Sequence, residues 1–183
     1  MSILVTGASG FVGQVLIQKL HQNGNLKLIA LSRKAVKALH NDVRQLVGDD
    51  IFSIQWPEDI DVVIHLAGRV HILNEQTTDP LAEFRKINVE GTLQLARQAL
   101  DKKVKRFIFM SSIGVNGSVT SQQPFTEDTS PQPHADYAVS KLEAEEALKK
   151  LFAGSETELV IIRPPLVYAA HAPGNFARLL KLV

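Results

Sequence analysis

Tyr137 and Lys141 lie four residues apart in a stretch of helical character, running from Ala135 to Phe152. That spacing puts a phenol and an ammonium on one helix face. A free tyrosine has a pKa of about 10, and a nearby cation can lower such a value by about 1–3 units. Tyr137 could then exchange a proton with a substrate hydroxyl or carbonyl near neutral pH. Ser111-Ser112 directly follow an apolar run, Arg106 to Met110. A hydroxyl there could hold the reacting oxygen. Alone, Tyr-x-x-x-Lys equally describes a surface helix pair. It gains weight from a third feature, Thr6-Gly7-Ala8-Ser9-Gly10-Phe11-Val12-Gly13, whose glycines are spaced G-x-x-G-x-x-G.

Glycine is needed where a turn takes positive φ, where backbone approaches a diphosphate, and where a helix packs closely on a strand. Gly7, Gly10 and Gly13 stand where an apolar run meets a helical period. The helix opening at Phe11 and Val12 would present free N–H groups and a positive dipole end to phosphates. The alternative is a tight strand-to-helix turn with no ligand. Cofactor choice turns on the end of the next strand, where an acid would hold a ribose 2′-hydroxyl. Ser32-Arg33-Lys34 stand there, and no acid occurs from Gly24 to Asn41. Arg33 would pair with a 2′-phosphate, so NADP(H) is favoured over NAD(H), which remains possible. A solvated basic loop is the other reading.

These groups need elements to carry them. Ile3-Leu4-Val5 predicts a buried strand, followed by a helix with Val12, Val15, Leu16 and Leu20 in register and a stop at Asn23-Gly24. Leu26 to Leu31 predicts a second strand, Lys34 to Leu39 a short helix, and Val43 to Val47 a third strand ending at Gly48-Asp49. Asp61 to Ala67 is the clearest strand. Trp56-Pro57 breaks the connection before it, which is expected to be irregular. A long helix is predicted over Asp79 to Lys102, with Leu81, Phe84, Asn88, Leu95 and Ala99 on one stripe. Ser111 to His134 lacks periodicity and predicts a long loop, a length that usually signals function. Glu158 to Arg163 predicts a strand, and Asn175 to Val183 the start of a helix. Strands and helices alternate, so a doubly wound parallel sheet of Rossmann type, with helices on both faces, is the expected α/β fold. Residues 1–163 would form the dinucleotide-binding domain, and 164–183 the start of a substrate region.

Length and composition agree with one such domain. The chain has 183 residues, 45% hydrophobic and 21% charged. Twenty basic against 19 acidic side chains leave +1, too little field to argue for nucleic acid or an acidic membrane surface. No apolar run approaches the roughly 20 residues that span a bilayer, and no signal-peptide pattern opens the chain. The absence of cysteine excludes disulfides, thiolate metal sites and a cysteine nucleophile, and fits a reducing cytoplasm. Six histidines are scattered without metal-ligand spacing, so no metal is expected. His65 is expected to pack within its strand and Trp56 to be a packing residue. Glu143, Glu145 and Glu146 with Lys149 and Lys150 read as a solvated helix face.

Taken together, these residues resemble the extended branch of the short-chain dehydrogenase/reductase superfamily, the NAD(P)-dependent sugar epimerase/dehydratase family. The resemblance runs in order through the glycine turn, Gly48-Asp49, His65-Leu66-Ala67, Asn88-Val89-Glu90-Gly91-Thr92, Ser111-Ser112, Tyr137/Lys141 and Arg163-Pro164-Pro165. Val63 to His71 and Pro80 to Arg85 look like bacterial UDP-sugar 4-epimerases and 4-ketoreductases of surface-polysaccharide pathways. The resemblance implies Ser112, Tyr137 and Lys141 as catalytic residues, Lys141 also holding the nicotinamide ribose. It implies Asp49 at the adenine, Leu66, Ala67 and Pro164 along the cofactor, and Asn88 as a brace. Asn175 would contact substrate, and His71, in the loop after its strand, could do so. It suggests a homodimer through helices 79–102 and 135–152.

Three departures qualify it. Val115-Asn116-Gly117 replace the usual V-Y-G, removing an aromatic near the nicotinamide. Ile113-Gly114 stand where 4,6-dehydratases carry an Asp-Glu pair, which argues against dehydration. Ala169-Ala170 replace Gly-Pro after Tyr168. The expected function is hydride transfer at C4 of a UDP-sugar, by a 4-ketoreductase or a 4-epimerase. The alternatives are a non-catalytic dinucleotide-sensing module and a reductase of a non-sugar carbonyl substrate. Family members continue into a region that closes over the nucleotide-sugar, so a chain ending at Leu182-Val183 is expected to be a fragment. It should be poor in turnover and expose apolar surface near the sheet's C-terminal edge.

Overall fold

The structure is a computed structural model and describes residues 1–70, 77–120 and 123–168. Strands β1 (Ser2–Thr6), β2 (Lys27–Ser32), β3 (Arg44–Val47), β4 (Val62–His65), β5 (Arg106–Met110) and β6 (Glu158–Ile162) form one sheet. The sheet is six-stranded in the order β3-β2-β1-β4-β5-β6, and every pairing is parallel. Helices α1 (Phe11–Gln22), α2 (Pro80–Arg85), α3 (Thr92–Asp101) and α4 (Asp136–Phe152) provide its layers. The doubly wound parallel sheet is the fold expected from the sequence. No helix among the described residues is long and apolar enough to cross a membrane.

Successive strand residues point to opposite faces, and both faces are apolar here. Leu4, Leu31, Val63, Phe107 and Phe109 face α3 and α4, meeting Leu95, Ala96, Ala99, Ala144 and Leu148. Ile3, Val5, Leu28, Ala30 and Ile64 face α1 through Ile17, together with Val36, Leu39 and Val43. Trp56 is buried in the first core, a packing residue as expected, and its segment is irregular. Beyond β6, Leu166, Val167 and Tyr168 are exposed, as is Ile162 at its end.

Several elements differ from expectation. Lys34–Leu39 forms no helix. The Gln45 side chain accepts the Val36 N–H at 2.8 Å and donates to the Val36 carbonyl at 3.2 Å, so this backbone bonds outside any helical ladder. The predicted helix Asp79–Lys102 is interrupted by a π-helical segment over Lys86–Gly91. Gly91 lies against Phe52, where a Cβ would fall 2.5 Å from the ring, and Asn88 turns inward from the widened turn. The strand predicted to Ala67 leaves the sheet after His65. The expected helix Asn175–Val183 lies outside the described residues.

Glu145 reverses its expectation. It is fully buried rather than solvated, because it sits two turns along α4 from Tyr137 on the sheet-facing side. It accepts from Arg163 Nε at 2.9 Å, from Arg163 Nη2 at 2.5 Å and from Ser111 Oγ. Arg163 Nη1 donates to Asn116 Oδ1 at 3.2 Å. The buried carboxylate thus fastens α4 to the ends of β5 and β6. Ser111 N–H donating to the Ile162 carbonyl at 2.7 Å and Ile113 N–H to the Pro164 carbonyl at 3.0 Å extend the tie.

His65 is also buried, between Thr6 Oγ1 at 2.6 Å and Thr92 Oγ1 at 2.9 Å. Thr6 Oγ1 accepts from Ala67 N–H at 3.2 Å. A neutral imidazole, with one donor and one acceptor nitrogen, satisfies both hydroxyls. Burial pushes its pKa down to about 3.

Two outcomes follow from these buried groups. Glu145→Gln should lower stability by about 3 kcal/mol, since removing one charge of a buried pair strands the other. An unchanged denaturant midpoint would contradict that role. His65 stays neutral in the fold while the unfolded chain protonates near its ordinary pKa. Stability should therefore fall as pH drops from about 6.5 toward 3. His65→Asn should flatten that part of the stability profile, and an identical slope in the variant would refute the assignment.

Candidate active site at the carboxyl ends of the strands

Strand order reverses beside β1, whose neighbours are β2 and β4. Open parallel sheets bind ligands in the crevice outside such a switch point. The glycine turn lies there. Gly7 takes φ +69°, in the left-handed region, and a Cβ on it would stand 2.7 Å from Ala67 N. A Cβ on Gly13 would stand 2.3 Å from the Gly7 carbonyl oxygen. The first glycine lets the turn pass against Leu66-Ala67, and the third lets α1 lie against the turn. Gly10 N–H donates to the Gly7 carbonyl at 2.9 Å and α1 begins at Phe11 and Val12. The close backbone approach fits a dinucleotide: a side chain at Gly7 or Gly13 would fill space the turn leaves to backbone alone.

Toward the sheet edge, β2 and β3 end side by side, with Ser32 paired to Val47. Arg33 follows β2 and Asp49 follows β3, and both are exposed. Ser32 Oγ donates to the Lys34 carbonyl at 2.8 Å, fixing the basic turn.

On the other side of the switch point, β5 leads into Ser111 and Ser112. Ser112 caps a short 3-10 turn over Ile113–Val115, its Oγ accepting from Gly114 N–H at 3.2 Å. Gly114 lies against Ala138 of α4, where a Cβ would be 3.4 Å from Ala138 Cβ and from Ser112 Oγ. This contact brings the serine segment to the helix bearing Tyr137 and Lys141.

Lys141 is buried, with 3% exposure. Its Nζ donates to the Met110 carbonyl at 2.9 Å and lies 4.6 Å above the Phe109 ring centroid. Burial lowers its pKa to about 8, and the Glu145 carboxylate opposes the shift. The Tyr137 ring packs edge-on to Phe84 at 6.0 Å. The expected lowering of the Tyr137 pKa is not found. Burial raises it, and the Lys141 ammonium is 5.9 Å from the ring centroid, engaged by the backbone.

Asn88 behaves as a brace. Fully buried, it accepts from Arg69 N–H at 2.7 Å, donates to the Arg69 carbonyl at 3.0 Å and donates to Ser140 Oγ at 3.0 Å. Ser140 Oγ in turn donates to the Tyr137 carbonyl at 2.7 Å. Gly68 completes the corner: a Cβ there would stand 3.1 Å from Asn88 Oδ1 and 3.4 Å from Lys141 Nζ. Asn116, in the place of the missing aromatic, is buried and committed to Arg163 and the Thr126 carbonyl.

The fold therefore gathers Ser112, Tyr137, Lys141, Asn88 and Pro164 around the ends of β4, β5 and β6, and the glycine turn with Leu66 and Ala67 around β1 and β4. Arg33 and Asp49 stand farther out, at the ends of β2 and β3. His71 and Asn175 lie outside the described residues. Sequence reasoning missed Glu145 and Ser140 as partners of the site. The Tyr137, Lys141, Glu145 spacing held the signal for one, since it repeats every four residues along a single helix face. It also missed that the fold brings His21 to the His40 and Asp42 pair, about twenty residues on, in one hydrogen-bonded cluster.

The chain matches the NAD dependent epimerase/dehydratase family over residues 3–181. A UDP-glucose 4-epimerase of Vibrio cholerae is 42% identical over 189 residues, an alignment covering 100% of this chain and 56% of that protein. The N-acetyl-alpha-D-glucosaminyl-diphospho-ditrans,octacis-undecaprenol 4-epimerase of Escherichia coli O157:H7 is 30% identical, covering 100% of this chain and 54% of that protein. Among solved structures, UDP-glucuronic acid 4-epimerase from Bacillus cereus in complex with NAD superposes with a TM-score of 0.76 at 27% identity, over 92% of this chain and 57% of that one. The chain spans about half the length of the relatives it matches. The sheet order, the glycine turn and a family match across nearly every residue agree, and the chain belongs to the NAD-dependent epimerase/dehydratase family.

Proposed function

We propose that this chain provides the dinucleotide-binding and proton-transfer half of an enzyme that transfers hydride at C4 of a UDP-sugar. The observation that carries the proposal is the buried Lys141 ammonium beside Tyr137 and against Gly68, in the segment whose Leu66-Ala67 backbone the Gly7 turn touches. In this reading Gly7, Gly10, Gly13 and the α1 N-terminus through Phe11 and Val12 hold the diphosphate. Asp49 contacts the adenine, and Leu66, Ala67 and Pro164 line the nicotinamide half. Residues 1–163 form the binding domain and residues from 164 begin the substrate region, with His71 and Asn175 as substrate contacts. Pairing of two chains through the segments 79–102, which holds α2 and α3, and 135–152, which holds α4, belongs to the same reading.

The bound dinucleotide supplies the hydride chemistry. The residues of this chain supply geometry and proton transfer. Ser112 Oγ orients the sugar O4. Tyr137 Oη, whose pKa burial raises, gives a proton to O4 when a ketone is reduced and takes it back in the reverse direction. Lys141 holds the nicotinamide ribose through its buried ammonium. Asn88 and Ser140 keep α4 and the Arg69 segment in register around these groups.

Two outcomes at C4 fit these roles. The epimerase names of the relatives favour inversion without net cofactor consumption. Exposed Arg33 and Lys34, which follow the buried Ser32, favour a 2′-phosphate, hence NADP(H) and a 4-ketoreductase. Titrating the chain with NADPH and NADH separates them. Arg33 predicts tighter NADPH binding, weakened in Arg33→Ala, and a clear NADH preference removes the reductase argument.

Tyr137→Phe in the full-length enzyme should reduce turnover by about 10²–10⁴-fold while leaving dinucleotide affinity unchanged. Unaltered turnover would favour the non-catalytic sensor. Lys141 provides a second check. Its lowered pKa means that its charge costs the fold stability below about pH 8, a cost relieved as pH rises toward the ordinary 10.5. Lys141→Met should therefore raise the unfolding midpoint at pH 7 and weaken dinucleotide binding. A lower midpoint, or unchanged binding, would count against its role.

A further inference from the structure

At the opposite end of the sheet from the glycine turn, the last turn of α1 meets the loop that precedes β3. His21 Nε2 lies 3.0 Å from Asp42 Oδ2, and His40 Nδ1 lies 2.7 Å from Asp42 Oδ1. The two imidazole rings stack with centroids 4.4 Å apart. The potential ligand atoms of the three residues all lie within 4.8 Å of one another. We propose that His21, His40 and Asp42 form a surface site for a divalent transition-metal ion of the zinc class, joining the C-terminal end of α1 to the β2–β3 connection.

The donor set selects the ion. Two imidazoles and one carboxylate suit zinc, cobalt, nickel or copper, whereas magnesium and calcium require oxygen ligands. Zinc–ligand bonds of about 2.0–2.2 Å arranged tetrahedrally place neighbouring donor atoms roughly 3.3 Å apart. The two nitrogen–oxygen separations are already close to that value, and the imidazoles need a rotation about their side-chain bonds to converge. The side chains of Asp42 and His40 are each 63% exposed and that of His21 33%. The open side leaves room for water to complete the coordination shell. In water, exposed ion-pair hydrogen bonds of this kind contribute little. Coordination would hold the same three side chains far more firmly.

The elements also suit a cross-link. His21 stands on α1, which follows the glycine turn, and Asp42 stands just before β3, whose far end carries Gly48-Asp49. Ile17, Leu39 and Val43 pack together beneath the cluster in the core on that face. An ion here would anchor the edge of the sheet without touching Ser112, Tyr137 or Lys141. The site is therefore independent of the reaction assigned above, and its test needs no turnover.

Tag-free, metal-stripped chain is titrated with Zn2+ by calorimetry, and with Co2+ while its visible d–d absorption is followed. The expected result is one ion per chain, a Co2+ band of ligand-bound character, and a Tm rise of roughly 5–10 °C at a hundredfold excess over Kd. His21→Ala, His40→Ala and Asp42→Asn should each weaken binding at least tenfold and abolish the Tm rise, with the Tm of the metal-free variants close to that of the parent. Absence of binding, or binding that survives both His21→Ala and His40→Ala, overturns the proposal.

Discussion

The Lys141 ammonium is removed from water at the carboxyl end of a parallel sheet, and the surrounding structure compensates for it. Burying an isolated charge costs several kcal/mol even after local relaxation. Here the Met110 carbonyl accepts a hydrogen bond from it, the Phe109 ring lies beneath it, and the Glu145 carboxylate one helical turn away opposes its neutralisation. Glu145 is itself fully buried and is held by Arg163 and Ser111. The buried cation thus stands beside a buried ion pair, and that pair ties α4 to the ends of β5 and β6. The segments carrying Ser112 and Pro164 inherit their positions from this chain of contacts.

The same economy of space governs the neighbouring corner. Gly68 leaves room for Asn88 and Lys141 to approach the backbone after β4. Asn88 reaches that backbone from a π-helical turn, which widens the helix where the amide must point inward. Such turns are rare and often mark functional sites. On the far side of β4, the Thr6, His65 and Thr92 chain links β1, β4 and the start of α3 through one neutral imidazole. Apolar residues build the two faces of the sheet, while a few fully bonded polar groups set the positions of its ends.

Much of this was legible in the sequence because it is written in local pattern. The alternation of apolar runs and helical periods gave the parallel sheet, and Gly7, Gly10 and Gly13 marked the turn by their spacing alone. What escaped was decided by contacts between distant segments. Lys34–Leu39 has a composition that allows helix, yet Gln45 bonds its backbone otherwise. Glu145 looks like part of a charged surface until Arg163, 18 residues onward, is known to meet it. The break at Lys86–Gly91 depends on Phe52 and Arg69, neither near in sequence. The Tyr137 pKa departs from expectation for the same reason: helix spacing fixes which side chains share a face, but burial raises this phenol's pKa.

Lys141 is a buried ammonium poised to lose its proton within reach of physiological pH. Selective 13C-methylation of lysines followed by an NMR pH titration reads this directly, with Lys141→Met identifying the resonance. The expected Lys141 pKa is about 8, against the ordinary 10.5. A Lys141 resonance that titrates with the surface lysines near 10.5 would contradict it.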